Sequence, residues 1–522
     1  MTVTVTLAKG AGDVLLAVSS YFARIKRLFG CFEGFLTIIA SSSAFLHVAM
    51  SQFLLAVGFL SIYVPSVLTA FTPRLSSGIE NIILTSQEFD LINDTLRTFT
   101  QKVDHFDPNN KDTFLQRFGV NVSFYKPGGP AFILVGCEGT ASTIWTHLPR
   151  SYWVDLAKEA GAMVFTLEHR FYGYSWPKPD LSPESLKFHT SRQALADLNA
   201  FILAQKVAFD LNNPKWITFG GSYGGSLSAW AREKYPDTIY AAVASSAPIE
   251  AVVDFSAFLE VVSDIFYNFD KICAQSIHRG FLAMQKELQT EEGQDKLNQI
   301  FDYHNRLKSQ QEQYNFFNLI IDTLLEFIQY GDGGSGYATK LTKICQLQTA
   351  DENNPVQGYA NVYAFLRPHK PLLRSAVIKP DNGRTWIWQT CNEFGFFVTT
   401  NSKRVNKNFV PDVLPVNYSV DNCGNIFGDV FNNATVYSNV DSTNEYYHGR
   451  NKYNGTRVLF VNGKNDPWHA LSILEPREGI NAIVIEGAGH AADMLRSQES
   501  DIPAITAARK QIHAIVMKWV NE

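Results

Sequence analysis

Several patterns that mark common protein classes are missing from this 522-residue sequence. It has no Cys-x-x-Cys pair and no Cys/His cluster at zinc spacing, so we expect no structural metal. It has no fixed-period repeat and no long low-complexity tract. Basic residues are not in excess, because 45 Lys and Arg stand against 50 Asp and Glu. The net charge of −5 provides no basic field to attract phosphates, so nucleic acid is not an expected partner.

The residues that are present indicate a globular protein with more than one part. Hydrophobic residues make up 46% of the chain and charged residues 18%, which is a globular composition. A chain of 522 residues exceeds what one ordinary hydrophobic core organises. We therefore expect two domains, or one domain with a large insertion.

Charged residues are also missing from a long stretch near the N-terminus. No Asp, Glu, Lys or Arg occurs between Phe35 and Pro73. This stretch is either a signal anchor long enough to span a bilayer or a signal peptide that is removed. We favour cleavage near Ala70, with Met50 as an alternative start. In both cases residues 1–75 are predicted to lie outside the fold, and the mature chain is expected to leave the membrane unless the anchor is kept.

A glycine-rich turn, Gly220–Gly225, is the most informative stretch. It follows an apolar, β-prone segment at 216–219 and precedes a helical segment at 226–232. Strand, tight Gly-x-Ser-x-Gly turn and helix together describe a nucleophile elbow. The sharp turn excludes bulky neighbours, which accounts for its glycines. Ser222 is the candidate nucleophile, and the backbone N–H of Tyr223 is a candidate donor to an oxyanion.

Buried strands alternate with helices on both sides of this turn, and the alternation is interrupted once. Between about residues 249 and 447 the pattern changes to amphipathic helices separated by polar loops. The order predicts an α/β-hydrolase fold with a large, mostly helical cap insertion. The predicted parts are a first hydrolase segment at 76–248, the cap at 249–447 and a second hydrolase segment at 448–522.

A serine hydroxyl needs a base and an orienting carboxylate before it can attack a carbonyl. Asp466 and His490 each follow a predicted strand late in the chain, in the order Ser, Asp, His that this fold uses. We therefore predict Ser222 as nucleophile, His490 as general acid/base and Asp466 as its partner. Taken singly, Asp466 could be a turn residue and His490 a helix-start residue. His169 precedes the serine and fits a structural role better.

The second oxyanion donor is predicted in the turn Gly136–Gly139, which ends another buried strand. We assign the donor to the backbone N–H of Cys137. The rival assignment makes the Cys137 thiol a nucleophile, which an intact Ser222 disfavours. Glu138 is predicted to contact substrate, for example a substrate amine, or alternatively a neighbouring loop.

Cysteines and glycosylation motifs suggest an oxidising compartment. Four cysteines fall in the predicted cap, and their three pairings stay open from sequence alone. We favour neighbours in order, Cys273 with Cys345 and Cys391 with Cys423. The chain has five Asn-x-Ser/Thr motifs, which behind a secretory signal predict glycosylation. These asparagines are Asn93, Asn121, Asn417, Asn433 and Asn454.

Many short motifs, in order from about residue 95 to the C-terminus, resemble the prolylcarboxypeptidase-like serine peptidase family (S28). They are Gln101–Phe106, Gln116–Phe118, Gly136–Gly139, Glu168–Ser175, Gln193–Asp197, Gly220–Gly225, Ser245–Pro248, Trp388–Gly395, Asn465–Trp468 and Glu486–His490. The resemblance implies an α/β-hydrolase domain interrupted by a helical cap, and the triad already predicted. It also implies exopeptidase cleavage beside proline by a lysosomal or secreted enzyme. Cys137 departs from the family, which has Gly or Asn there, and 386–395 looks closer to the thymus-specific serine protease branch.

The sequence thus predicts a secreted or lysosomal serine peptidase that acts on peptides through an acyl-enzyme and needs no cofactor. This interpretation allows a homodimer. Two alternatives stay open. One is an esterase or lipase, because a triad performs the same acyl transfer on esters. The other is a non-catalytic binding protein on the same fold, although no triad residue is missing.

Overall fold

The structure is a computed structural model that describes most of the chain after residue 95. The described residues are 96–141, 151–303, 307–331, 334–367, 382–404 and 408–522. The predicted signal or anchor region at 1–75 and the motif at Asn93 lie outside them. Within the described residues, no helix combines the length and apolar character needed to cross a bilayer.

Eight of the described strands form one sheet in the order β1-β2-β4-β3-β5-β6-β9-β10. The pairings of β2 with β1 and with β4 are antiparallel, and the pairings from β4 across to β10 are parallel. The strands are β1 Arg97–Lys102, β2 Thr113–Asn121, β3 Ala131–Val135, β4 Met163–Leu167, β5 Trp216–Gly221, β6 Ala241–Ser245, β7 Val252–Asp254, β8 Gly395–Phe397, β9 Val458–Gly463 and β10 Ile480–Ile485.

The central strands are apolar on both sides, as parallel strands covered by helices on both faces must be. Successive side chains of a strand point to opposite faces, so in β3 Phe132 joins one hydrophobic cluster and Ile133 another. Helices of the first and last parts of the chain cover the Phe132 face, for example through Trp153 and Ile512. Helices flanking the elbow cover the other face, for example through Phe201.

The helices are distributed unevenly along the chain, and most of the described ones lie between β6 and β9. They are α1 Tyr152–Ala160, α2 Pro183–Leu186, α3 Ser191–Ala208, α4 Tyr223–Lys234, α5 Ser256–Phe269, α6 Lys271–Glu287, α7 Glu291–Phe301, α8 Gln310–Gln329, α9 Ser335–Gln348, α10 Pro355–Leu366, α11 Asn382–Gln389, α12 Val416–Phe427, α13 Asn433–Tyr447, α14 Gly449–Lys452 and α15 Pro503–Asn521. The α/β fold and its helical insertion are therefore as predicted.

The helical region between β6 and β9 also contains a short parallel pair formed by β7 and β8. One continuous hydrophobic cluster includes Phe165 of the sheet and Tyr359 of α10. The helical region and the sheet thus share a core. The domain boundaries at residues 248 and 447 stay a prediction.

Two disulfides join segments of the helical region. Cys273 of α6 pairs with Cys345 of α9, with 5.1 Å between their Cα atoms. Cys391 pairs with Cys423 of α12, with 5.8 Å between their Cα atoms. These are the pairs of neighbours in order that we favour from the sequence.

Candidate active site

Parallel strands end at a common edge, and this edge carries the three predicted catalytic residues. Ser222 follows β5, Asp466 follows β9 and His490 follows β10. Open α/β sheets place their sites at the carboxyl ends of parallel strands. The topology therefore gathers three loops that are far apart in the chain.

Ser222 has a strained backbone, as a nucleophile elbow requires. Its φ of 57° and ψ of −131° lie in a region that residues with side chains rarely occupy. The surrounding glycines have no space for a side chain. A Cβ on Gly220 would lie 2.0 Å from the Gly224 carbonyl oxygen, and one on Gly225 would lie 2.8 Å from the Ser245 carbonyl oxygen.

Asp466 and His490 are joined by a buried hydrogen bond. The Nδ1 of His490 lies 2.9 Å from Oδ2 of Asp466, and the Asp466 side chain is 0% exposed. The other carboxylate oxygen of Asp466 accepts a hydrogen bond of 3.1 Å from the Trp468 N–H. Both oxygens are thus held, and because a carboxylate only accepts, Nδ1 of His490 carries the proton.

The remaining ring nitrogen of His490, Nε2, has no hydrogen-bond partner among the described residues. The Ser222 hydroxyl is therefore not hydrogen-bonded to this nitrogen. The two loops do meet, because a Cβ on Gly221 would lie 3.5 Å from Cβ of Ala491. Catalytic hydrogen bonds are often long in unliganded enzymes and tighten when substrate binds.

Residues at the end of α8, in the helical region, contact His490 and its neighbour Gly489. The His490 N–H donates to the carbonyl oxygen of Gln329 over 2.8 Å. The ring of Tyr330 stands edge-on to the imidazole with 5.9 Å between ring centres. Gly489 must lack a side chain, because a Cβ there would lie 2.1 Å from the Gly331 carbonyl oxygen. These contacts could not be predicted from the sequence, because no local pattern links residues 160 positions apart.

The predicted oxyanion turn packs against the elbow. A Cβ on Gly224 would lie 2.9 Å from the Val135 carbonyl oxygen and 3.4 Å from Cβ of Cys137. Tyr223 is the first residue of α4, so its N–H has no acceptor within the helix. Cys137 is in no disulfide, and burial raises the pKa of its thiol well above the usual range. A protonated thiol is a poor nucleophile, which disfavours the rival assignment.

Glu138 is a buried carboxylic acid within electrostatic range of His490, the candidate base. Its Oε1 has no hydrogen-bond partner among the described residues, and the residue is 8% exposed. Burial raises the pKa of Glu138 to about 7, an effect that the hydrogen bond from Cys137 and the charge of His490 oppose. Glu138 is thus placed within electrostatic reach of His490, and its contact with substrate stays a prediction.

Replacing Glu138 by glutamine should change stability in a pH-dependent way. The pKa of this carboxyl is higher in the folded than in the unfolded chain, so folding favours its protonated form, and stability falls as pH rises from about 4.5 to about 7. Glutamine mimics the protonated acid. We expect nearly equal stability of both proteins at about pH 4, and a gain of about 1–3 kcal/mol for the variant at about pH 8. Urea unfolding at both pH values measures this, and a variant that gains nothing at pH 8 would contradict it.

The motif Glu168–His169–Arg170, also at this edge, has structural roles. The Glu168 carboxylate accepts from the Ser175 hydroxyl over 2.6 Å and holds the following turn. The guanidinium of Arg170 donates to both carboxylate oxygens of Asp197 over 2.7 and 2.6 Å. His169 bonds to the Tyr223 hydroxyl over 3.0 Å. His169 is thus a partner of the elbow rather than a third catalytic position.

The glycosylation motifs differ in exposure. Asn417, Asn433 and Asn454 are exposed, the first two at helix starts and the third in a loop. Asn121 is only 5% exposed, and its Oδ1 accepts from both the N–H and the hydroxyl of Ser123 within its own motif. Burial makes Asn121 a poor glycan acceptor.

Among the described residues, no three His, Cys, Asp or Glu side chains are grouped to hold a metal ion.

The sheet order, the elbow and the helical insertion between β6 and β9 define an α/β-hydrolase. A family model described as serine carboxypeptidase S28 matches residues 101–512. The chain belongs to this family and is a serine peptidase.

Curated relatives agree with this assignment. A Caenorhabditis elegans protein named "Putative serine protease K12H4.7" is 37% identical over 447 residues, which covers 81% of this chain and 88% of that protein. Human thymus-specific serine protease is 32% identical, covering 81% of this chain and 86% of that protein. Human lysosomal Pro-X carboxypeptidase is 30% identical, covering 81% of this chain and 88% of that protein.

Proposed function

We propose that this serine peptidase is an exopeptidase that cleaves peptides beside proline, with Ser222, His490 and Asp466 as its catalytic triad. One observation carries the proposal. Asp466 holds the imidazole of His490 through Nδ1, and Nε2 is left without a partner at the edge where Ser222 is held in a strained turn. A serine nucleophile needs a proton acceptor, and Nε2 of His490 is free to take that role.

The proposed reaction is acyl transfer to water. Nε2 of His490 accepts the hydroxyl proton as Ser222 attacks the peptide carbonyl, and Asp466 stabilises the resulting imidazolium. The N–H groups of Tyr223 and Cys137 bind the oxyanion. His490 then protonates the leaving amine, and in the second half it activates the water that releases the acyl group.

The proline preference is supported by a relative and by an aromatic side chain. Human lysosomal Pro-X carboxypeptidase carries proline in its name, and it is 30% identical to this chain. Tyr330 stands against the His490 ring at the end of α8. We assign Tyr330 to the wall of the pocket for proline, since a flat aromatic face suits that ring. Glu138 is assigned to the same site as a substrate contact.

A secreted or lysosomal location fits the proposal. Two disulfides form and persist in an oxidising compartment. The motifs at Asn417, Asn433 and Asn454 are exposed and thus accessible to glycosylation, and Asn121 is the least accessible of the four described motifs. The natural substrates are then peptides that reach the lysosome or the extracellular space.

The decisive experiment is a peptide library whose products are read by mass spectrometry. We expect single or paired residues to be released from one free end, next to proline, and no cleavage of peptides blocked at that end. Cleavage of inner bonds would contradict the exopeptidase assignment. Equal rates without proline would contradict the preference. Turnover of ester substrates with intact peptides would favour the esterase alternative.

A further inference from the structure

We infer that Gln389 is a positioning residue for the proposed reaction, because a hydrogen bond from its amide holds the side chain of Tyr223. Tyr223 supplies the N–H assigned to the oxyanion, so the inference rests on the proposed function. Gln389 is the last residue of α11, in the helical region, whereas Tyr223 begins α4 at the elbow. The bond between them thus connects two parts of the chain 166 residues apart.

Gln389 lies in the middle of a buried chain of hydrogen bonds. The Tyr172 hydroxyl donates to Oε1 of Gln389 over 2.7 Å, and Nε2 of Gln389 donates to the Tyr223 hydroxyl over 2.8 Å. The Tyr223 hydroxyl lies 3.0 Å from Nε2 of His169. Nδ1 of His169 lies 2.7 Å from the carbonyl oxygen of Arg170.

The donors and acceptors of this chain can be assigned in one way only. The Arg170 carbonyl only accepts, so Nδ1 of His169 carries the proton and Nε2 is an acceptor. The Tyr223 hydroxyl must therefore donate to His169 and accept from Gln389. This requires the NH₂ of Gln389 to face Tyr223 and leaves its oxygen for the Tyr172 hydroxyl. Burial keeps the ring neutral by lowering the pKa of His169 to about 4.

The segment that presents Gln389 is held rigidly. It continues into a π-helical turn, Thr390–Phe394, a rare geometry that is frequent at functional sites. Within that turn Cys391 is tied to α12 by its disulfide with Cys423. Glu393 accepts from the N–H and the hydroxyl of Ser191 at the start of α3. The backbone that carries the Gln389 side chain is thus held in place, and this fixes the position from which the amide contacts Tyr223.

Besides the hydrogen bonds of its hydroxyl, the ring of Tyr223 is restrained by packing. It is 1% exposed, and its ring lies 5.3 Å from that of Phe394 and 5.9 Å from that of Trp386. Loss of the Gln389 amide would leave the buried hydroxyl short of one partner, and the ring would shift to recover it. The shift would move the adjacent N–H, and oxyanion binding depends on that position to a fraction of an ångström.

The first test replaces Gln389 by methionine, which keeps the shape and removes both hydrogen bonds. We expect kcat for a prolyl peptide to fall about tenfold to a hundredfold, with KM changed less than about twofold. The matched control is Gln348→Met, since Gln348 is also buried and bonded, to Ser276 and to the Pro355 carbonyl oxygen, in helices that do not bear on the elbow. It should lower thermal stability and leave kcat unchanged.

The second test replaces Gln389 by glutamate and follows kcat against pH. A protonated carboxyl donates to Tyr223 and accepts from Tyr172, as the amide does, whereas an ionised one only accepts. Because position 389 is buried and lies near Glu393, we expect the pKa of the introduced carboxyl to be above its ordinary value; the other facing groups are His189 and the two tyrosines. We therefore expect near wild-type kcat at pH 5 and a progressive loss toward pH 8 that the wild type lacks.

The outcomes separate this inference from the proposed function. Wild-type enzyme that takes up no fluorophosphonate at Ser222 would refute the proposed function itself. Normal labelling together with an unchanged kcat in Gln389→Met would refute only the role of Gln389. Equal losses of kcat in Gln389→Met and Gln348→Met would reduce that role to stability. If the chain acts as a unit, adding Tyr223→Phe to Gln389→Met should lower kcat no further.

Discussion

Replacing Ser222 by alanine should reduce peptide hydrolysis by about 10⁵–10⁶-fold and abolish labelling by a fluorophosphonate. The hydroxyl is the only atom lost, and without it His490 has no nucleophile to activate. Alanine tolerates the strained φ of 57° no better and no worse than serine, so the turn should persist. Peptide turnover and mass spectrometry of the labelled chain measure the two effects.

The matched control is Ser226→Ala, one turn further along the same helix. The Ser226 hydroxyl is buried and lies 2.8 Å from the Pro248 carbonyl oxygen and 3.4 Å from the Ser222 carbonyl oxygen, so its partners are backbone oxygens and it has a structural role. This variant should lose some stability and still be labelled. Labelling that persists in Ser222→Ala, or that disappears in both variants, would contradict the assignment of the nucleophile.

The elbow could be predicted from the sequence because its physical requirements are local. Gly220, Gly224 and Gly225 are needed because a Cβ there would meet backbone atoms of the same turn or of a neighbouring strand. The buried strands could be predicted for a similar reason, since Met163–Leu167 is apolar apart from Thr166 and is buried on both faces. Because the strands that precede Ser222, Asp466 and His490 are parallel members of one sheet, the three residues lie at the same edge.

The supports of the site could not be predicted in this way, because they come from distant helices. The Gln329 carbonyl that holds His490 and the Gln389 amide that holds Tyr223 both belong to the helical region. Periodicity identifies that region as helical but does not say which helix end meets which strand end. Buried glutamines give no local signal, since their partners are known only once the chain is folded.

The fold and the supports together indicate why a peptidase would carry this insertion. The sheet edge supplies Ser222, Asp466 and His490, but the backbone of His490 is held by the end of α8. Without this contact, the loop that carries His490 would have more conformational freedom. The insertion thus helps to fix the backbone position of His490, the proposed catalytic base.

Replacing Asp466 by asparagine should lower kcat about 10⁴-fold with little change in KM. The Trp468 N–H needs an acceptor, so the new amide oxygen turns toward it and the NH₂ faces His490. Nδ1 of His490 must then accept, which moves the ring proton to Nε2. An imidazole protonated at Nε2 cannot take the proton of Ser222, although every heavy atom stays in place.

The neighbouring Asp493 provides a matched control for this variant. It is also a buried aspartate at the same edge, and it accepts from the Ser245 hydroxyl over 2.6 Å. Burial raises its pKa to about 6, so asparagine resembles the form it adopts in acid. Asp493→Asn should change kcat less than about tenfold at pH 5. If Asp466→Asn costs no more than this control, the carboxylate does not set the His490 tautomer, and the triad loses its third member.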